Sequence, residues 1–254
     1  MGILDAIVKS TAARVARDKE AGLPPPRAAR TPFLFERALS RPGLHFICEV
    51  KKASPSKGVI APEYAYADIA REYEQAGAAA ISVLTEPEYF RGSDAHLAEI
   101  RGLVEVPLLR KDFTIDAFQI EQAARLGADA VLLICAILTP ARLAEYIKEA
   151  DRLGLSCLVE AHSERELKAA LRAGARVVGV NNRDLKTFAV DTGNSIRLRG
   201  CVPGDIVFVS ESGVRTAGDV EALRQNGVNA VLVGETLMRA RDKKAALAEL
   251  RGRP

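Results

Sequence analysis

Short continuous apolar runs recur along this chain, each led in by an amphipathic stretch and a glycine. The phrases QAGAAAISVL, RLGADAVLLI, RLGLSCLVE, RAGARVVGV and QNGVNAVLVG share one order: helical periodicity, then Gly77, Gly127, Gly154, Gly174 or Gly227, then aliphatic and β-branched residues. Glycine at that point predicts a helix closed by a left-handed cap, with a strand following at once. The strand-like runs are HFICEV, AISVL, VPLLR, AVLLI, SCLVE, VVGVN, IVFVS and AVLVG, eight in all. Their apolar positions are continuous instead of alternating, which predicts parallel strands covered on both faces. Amphipathic segments such as YADIAREYEQAG supply the covering helices. Eight such units in 254 residues predict an α/β fold of the (β/α)8 class, the TIM barrel, for which about 250 residues is typical. A doubly wound open sheet has the same alternation, but eight units is many for it. No two glycines lie two apart, so a G-x-G-x-x-G fingerprint is missing as well.

Residues 1–43 precede the first strand. Leu4, Ile7, Val8 and Val15 fall near helical spacing, Pro24 to Pro26 break the chain, and Thr31 then Pro32 read as N-cap and first residue of a second short helix. These helices are expected to pack on the barrel as an extension of one domain spanning residues 1–254, and to cover the barrel mouth.

Composition narrows the function. Lys and Arg number 36 against 33 Asp and Glu, and the two signs are interleaved along helical stretches, so nucleic-acid binding gains no support. The longest apolar run, Ala130 to Leu138, is nine residues, short of the eighteen or so that a membrane span requires. Cys48, Cys135, Cys157 and Cys201 form no C-x-x-C pair, and three of them sit in apolar strand-like runs, as reduced thiols do. The start, MGILDAIVKSTAARVARDKE, has no secretory apolar core. A soluble, cytoplasmic chain without an address is expected.

In a barrel of this class, chemistry gathers where strands end on the carboxyl face. The strand exits carry Glu49 and Lys51 in CEVKKASPSKG, Lys111 in LLRKDF, Glu160 in CLVEAH, Asn181 and Arg183 in GVNNRDL, and Glu211 and Ser212 in VSESG. Glu49 and Lys51 are two apart and point to one side of their strand. A buried charge without a partner is costly, so such a pair marks either a working site or a mutual ion pair. Gly213 and Gly234 follow the seventh and eighth strands, the loops that commonly bind phosphate through backbone N–H groups, and Arg183 and Ser54 add side-chain donors. Glu235 would repel phosphate unless its carboxylate turns outward. His45, His96 and His162 show no metal-ligand spacing, and no G-x-S-x-G occurs. Acid–base chemistry by Lys and Glu, with neither metal nor organic cofactor, is the simplest expectation.

Together EVKKASPSKG, ISVLTEPEYFRGS, LLRKDF, GADAVLLI, GVNNRDL, VSESGV and VGETLM resemble the indole-3-glycerol-phosphate synthase family of tryptophan biosynthesis, over nearly the whole chain. The resemblance implies a phosphorylated small-molecule substrate, 1-(2-carboxyphenylamino)-1-deoxyribulose 5-phosphate, closed to an indole with loss of carbon dioxide and water. It implies Lys111 as the acid in ring closure, Lys51 as carboxylate partner and acid in dehydration, and Glu160 and Glu49 as proton-handling carboxylates. Asn181, Arg183, Glu211 and Ser212 would orient sugar hydroxyls and phosphate, and Phe90, Phe113 and Leu132 would wall the aryl ring. Two ammonium groups in one pocket should depress at least one pKa while the glutamates oppose this, so the net sign is open. Association with other tryptophan-pathway enzymes is also open. Two rivals remain: a Schiff-base aldolase of a sugar phosphate, since a strand-end lysine suits that nucleophile, and a barrel that binds a phosphorylated ligand without turnover.

Overall fold

The computed structural model describes residues 2–28, 31–184 and 187–252, and its eight long strands close into a parallel barrel. Residues 1 and 253–254, the ends of the expected domain, lie outside the described residues. The chain opens with helices α1 (Ile3–Ala21) and α2 (Leu34–Leu39), then strand β1 (His45–Val50) and a small hairpin of β2 (Ala53–Ser54) and β3 (Gly58–Val59). There follow α3 (Tyr66–Gln75), β4 (Ala80–Leu84), α4 (Asp94–Arg101), β5 (Leu108–Lys111), α5 (Ala117–Leu126), β6 (Ala130–Ile134), α6 (Pro140–Arg152) and β7 (Ser156–Ala161). The last elements are α7 (Glu164–Arg172), β8 (Val177–Asn181), α8 (Gly193–Arg199), β9 (Val207–Glu211), α9 (Ala217–Gln225), β10 (Ala230–Val233), α10 (Glu235–Arg239) and α11 (Lys243–Leu250). Around the barrel the order runs β1, β4, β5, β6, β7, β8, β9, β10 and back to β1.

All eight predicted strands are present, and the five predicted helix-closing glycines have φ between 72° and 94°. Gly127 shows a second constraint, since a β-carbon there would lie 2.5 Å from Cγ of Arg101. Cys135 falls one residue past β6 instead of inside it; the four cysteines are free thiols. Among the described residues no helix is long and apolar enough to cross a membrane.

The barrel holds two apolar layers. One lies between sheet and helices and is built from residues such as Ile81, Val83, Ile120, Leu133, Val159 and Val231. The other fills the barrel interior with Ile47, Leu109, Leu132, Leu158, Val209 and Leu232. Phe35 and Leu39 of α2 join that inner layer, both fully buried.

The N-terminal extension therefore divides between the two ends. At the amino end, where β7 begins, the Phe33 N–H donates to Gly154 O (2.9 Å) and the Glu36 N–H to Ser156 Oγ (3.2 Å). This tie puts Phe33 in the left-handed region, φ 59°, so the helix starts at Leu34 and not at Pro32 as the Thr-Pro signal suggested. At the carboxyl end, α1 is held by Arg14 on Asp112 (2.7 Å) and Lys19 on Asp116 (2.6 Å). Among the described residues of the extension it is α1 that reaches the mouth, with Ile3, Leu4 and Ile7 on its cavity, and the expectation that the whole extension covers it is corrected: α2 closes the opposite end.

Candidate active site

Along four strands the inward position changes from aliphatic to ionisable within one step of two residues. Ile47 is followed by Glu49, Leu109 by Lys111, Leu158 by Glu160 and Val209 by Glu211. Residues two apart on a strand share a face, so all four ionisable groups enter the same end of the barrel. There they surround a cavity of about 470 Å³ that also receives Lys51, Ser54, Phe90, Phe113, Leu132, Asn181, Arg183, Ser212, Gly213, Gly234 and Glu235. Every residue singled out from the sequence as a site candidate thus lies on one cavity.

Glu49, Glu160 and Glu211 are 4%, 3% and 1% exposed. Burial of carboxylates at that depth demands compensating charge. Lys51 Nζ meets Glu49 Oε1 at 2.5 Å, and Lys111 Nζ lies 3.4 Å from Glu160 Oε2 and 3.7 Å from Glu211 Oε2. Asn181 Nδ2 donates to the other Glu160 oxygen at 3.2 Å, while its Oδ1 accepts the Arg183 N–H at 3.0 Å. The mutual ion pair and the working cavity are therefore one arrangement.

The net sign left open for lysine is now resolved for Lys111. Burial works to lower it, but Glu160, Glu211 and Glu49 together raise it above the ordinary lysine value. For Glu49, burial works upward and is overcome by Lys51 and Lys111, which hold the carboxyl below its usual range. Glu211 goes the other way. Burial first and then the Glu160 charge push its carboxyl up to about 8, against the pull of Lys111. One ionised and one readily protonated carboxyl thus share a wall.

Local sequence explains the positioning. Lys111 projects inward because its neighbours Arg110 and Asp112 both face outward into a buried network. Arg110 reaches Asp94 (2.8 Å) and Gln122 (2.8 Å), and Asp112 accepts from Thr85 (2.7 Å) and pairs with Arg14 of α1. Phe90 is placed by Glu86, whose carboxylate accepts the N–H groups of Glu88, Tyr89 and Phe90 at 3.0, 2.7 and 3.0 Å. Phe90 and Phe113 stand 6.0 Å apart, centroid to centroid, an apolar wall beside the charged one.

The rim carries cations. Arg183, Arg215 and Arg239 line the cavity, as do Ser54, Ser56, Gly213 and Gly234. Glu235 pairs with Arg239 (3.1 Å) and lies 4.0 Å from Lys57, so its carboxylate is matched by cations at that edge. Gly213 has φ 95°, and a β-carbon there would strike Val190 and Thr192 side chains at 2.6 and 2.7 Å. Gly234 is different: a β-carbon would lie 2.4 Å from Glu49 Oε1 and 2.9 Å from Lys51 Nζ. Its bareness protects the ion pair as much as any approach to backbone N–H. Among the described residues no three or more His, Cys, Asp or Glu side chains gather as a metal site.

Comparison with known proteins identifies the family. The family model described as indole-3-glycerol phosphate synthase matches residues 4–250. The chain belongs to the indole-3-glycerol phosphate synthase family. The indole-3-glycerol phosphate synthase of Ruminiclostridium cellulolyticum is 64% identical over 223 residues, covering 88% of this chain and 86% of that protein. That of Endomicrobium trichonymphae is 52% identical over 259 residues, covering 98% and 99%. Among solved structures, the barrel resembles 3-hexulose-6-phosphate synthase from Salmonella typhimurium (TM-score 0.68, 13% identity, 82% of this chain and 97% of that one). It also resembles a chain of the tryptophan synthase α2β2 complex from Pyrococcus furiosus (TM-score 0.61, 15% identity, 83% and 97%). At such identities these two structures speak for the fold alone.

Within this family setting, sequence reasoning passed over several residues. Ser82 is fully buried and pairs in register with Glu49 across β1 and β4. Gly179 sits mid-strand, where a β-carbon would meet Glu211 Oε1 at 2.1 Å, and a glycine inside VVGVN was a signal of close approach. Arg215, Arg239 and Ser56 gave no comparable signal, since each reads as an ordinary loop or helix residue.

Proposed function

We propose that the charged barrel mouth converts 1-(2-carboxyphenylamino)-1-deoxyribulose 5-phosphate to indole-3-glycerol phosphate with release of carbon dioxide and water. This is the decarboxylating lyase reaction of the family, in tryptophan biosynthesis. The observation that carries the reading is the convergence of Lys51, Lys111, Glu49, Glu160 and Glu211 on one cavity with an aromatic wall and a cationic rim. The family assignment favours neither a Schiff-base aldolase nor a binding-only barrel.

In this reading the aryl ring lies against Phe90, Phe113 and Leu132, and the phosphate against Ser54, Arg183, Ser212, Gly213 and the edge at Gly234 and Glu235. The ring carbon bearing the carboxylate attacks the ketone, and the carbonyl π pair moves to oxygen, which takes a proton from Lys111. Loss of carbon dioxide returns its bonding pair to the ring. The hydroxyl then leaves as water with a proton from Lys51, and a carboxylate, Glu49 or Glu160, removes the ring proton that completes the indole. Lys51 also balances the substrate carboxylate before it leaves. Glu211, protonated at neutral pH, donates a hydrogen bond to a sugar hydroxyl, and Asn181 holds Glu160. No metal or organic cofactor is required by these steps.

We also read residues 1–43 as part of one domain with the barrel, and the protein as a cytoplasmic enzyme without nucleic-acid or membrane partners. Association with other pathway enzymes would be tested by co-purification. The reaction itself is tested by incubating the purified protein with the carboxyphenylamino substrate and following indole absorbance. Indole formation is expected, and a folded protein that yields none contradicts the proposal.

A further inference from the structure

His162 is the first residue after β7, two beyond Glu160, and it does not line the cavity. Its ring stands between two carboxylates: Nε2 is 3.7 Å from Glu160 Oε1 and Nδ1 is 3.6 Å from Glu166 Oε2 on α7. The Nε2 atom is buried and has no hydrogen-bond partner of its own. Glu160 is meanwhile held at its other oxygen by Lys111 and at the same oxygen by Asn181.

We propose that His162 is a positioning residue for the reaction: held between Glu166 and Glu160, its ring packs against the Glu160 carboxylate and aims it at Lys111 and the substrate. This rests on the reading of Glu160 as a proton-handling group. The titratable and charged groups around the ring are Glu160 on β7, Glu166 on α7 and Glu211 on β9, with Lys111 paired to the glutamates and Arg165 and Cys135 acting on Glu166. Burial pulls the imidazole down, but Glu166, Glu160 and Glu211 raise it above the ordinary histidine value. Its neighbours thus favour the protonated ring. The backbone has a separate tie, the His162 N–H donating to Glu166 Oε2 at 2.7 Å. That bond survives replacement of the side chain, so the local turn and the ring can be tested apart.

The experiment is a cycle of His162→Gln, Glu160→Gln and the double variant, with kcat and KM measured across pH. His162→Gln is expected to lower kcat about tenfold, a fraction of a full acid–base contribution, with KM within about twofold. Removing an ionisable ring from beside the reacting carboxylate should also change the pH profile of kcat. In the Glu160→Gln background, adding His162→Gln should cost less than about twofold, because the path through Glu160 is gone. Equal factors in both backgrounds, or a wild-type rate and pH profile in His162→Gln, would overturn the proposal. Should the His162 variants not fold, NMR titration of the His162 ring in wild type and Glu160→Gln decides. A lower imidazole pKa in Glu160→Gln supports the coupling, and an unchanged one overturns it. Absence of wild-type turnover would instead fail the synthase reading, while the NMR titration still judges the pairing.

Discussion

The two ends of this barrel are made from the same strands and have opposite characters. At the amino end the inward positions are Ile47, Leu109, Leu158 and Val209, and the apolar side chains of Phe35 and Leu39 close the opening. Two residues further along, the same strands offer Glu49, Lys111, Glu160 and Glu211 around an open cavity. The difference teaches how labour is divided. Burial of aliphatic and aromatic surface stabilises the closed end, while the open end carries buried carboxylates whose cost is offset chiefly by lysines placed for chemistry. Changes at one end should therefore be read in stability, and changes at the other in turnover.

The sharpest way to break that division is Gly234→Val, which drives a side chain into the Glu49–Lys51 pair. Displacing a proton-handling pair should cost about 100-fold or more in kcat, with a raised KM from the phosphate edge and an intact circular dichroism spectrum. A variant in which KM alone rises would show that the glycine serves phosphate only. At the closed end, Phe35→Ala should lose about 3–5 kcal/mol of stability by denaturant unfolding, yet the folded fraction should retain wild-type kcat. A large fall in kcat per folded molecule would mean that the two ends are coupled.

Glu211→Gln sharpens the comparison from the charged side. Burial and Glu160 raise the folded-state carboxyl from 4.5 to about 8. Between those values the folded state binds more protons than the unfolded one, so stability falls as pH rises through that window. Glu211→Gln should remove this slope and be the more stable protein at pH 8, by at most a few kcal/mol, while losing activity. Unfolding midpoints at pH 5 and pH 8 check it, and an unaltered pH slope would contradict the burial cost.

Much of this was legible because the physics is local. A strand covered on both faces must be continuously apolar, and a helix that turns into it must stop at a left-handed residue, so Gly77 to Gly227 announced the strands. Glu49, Lys111, Glu160 and Glu211 stood out because each interrupts or ends an apolar run. What stayed hidden depends on contacts between distant segments. No pattern in LFERAL says which end of a barrel it will plug, and Phe33 takes its left-handed turn because of Gly154, 121 residues away in the chain. The outward ties of Arg110 and Asp112, which aim Lys111 inward, need Arg14, Thr85 and Asp94 brought together by the fold.

The central claim is that Lys111 is the acid of ring closure, and steady-state kinetics of Lys111→Ala beside Lys111→Arg tests it most directly. Removing a positioned acid should lower kcat by about 10²- to 10⁴-fold with KM little changed. Arginine keeps the charge between Glu160 and Glu211 but gives up its proton far less readily, so Lys111→Arg should stay slow. With folding verified for both, a Lys111→Ala protein within about threefold of wild-type kcat, or a Lys111→Arg protein restored to it, would contradict the assignment.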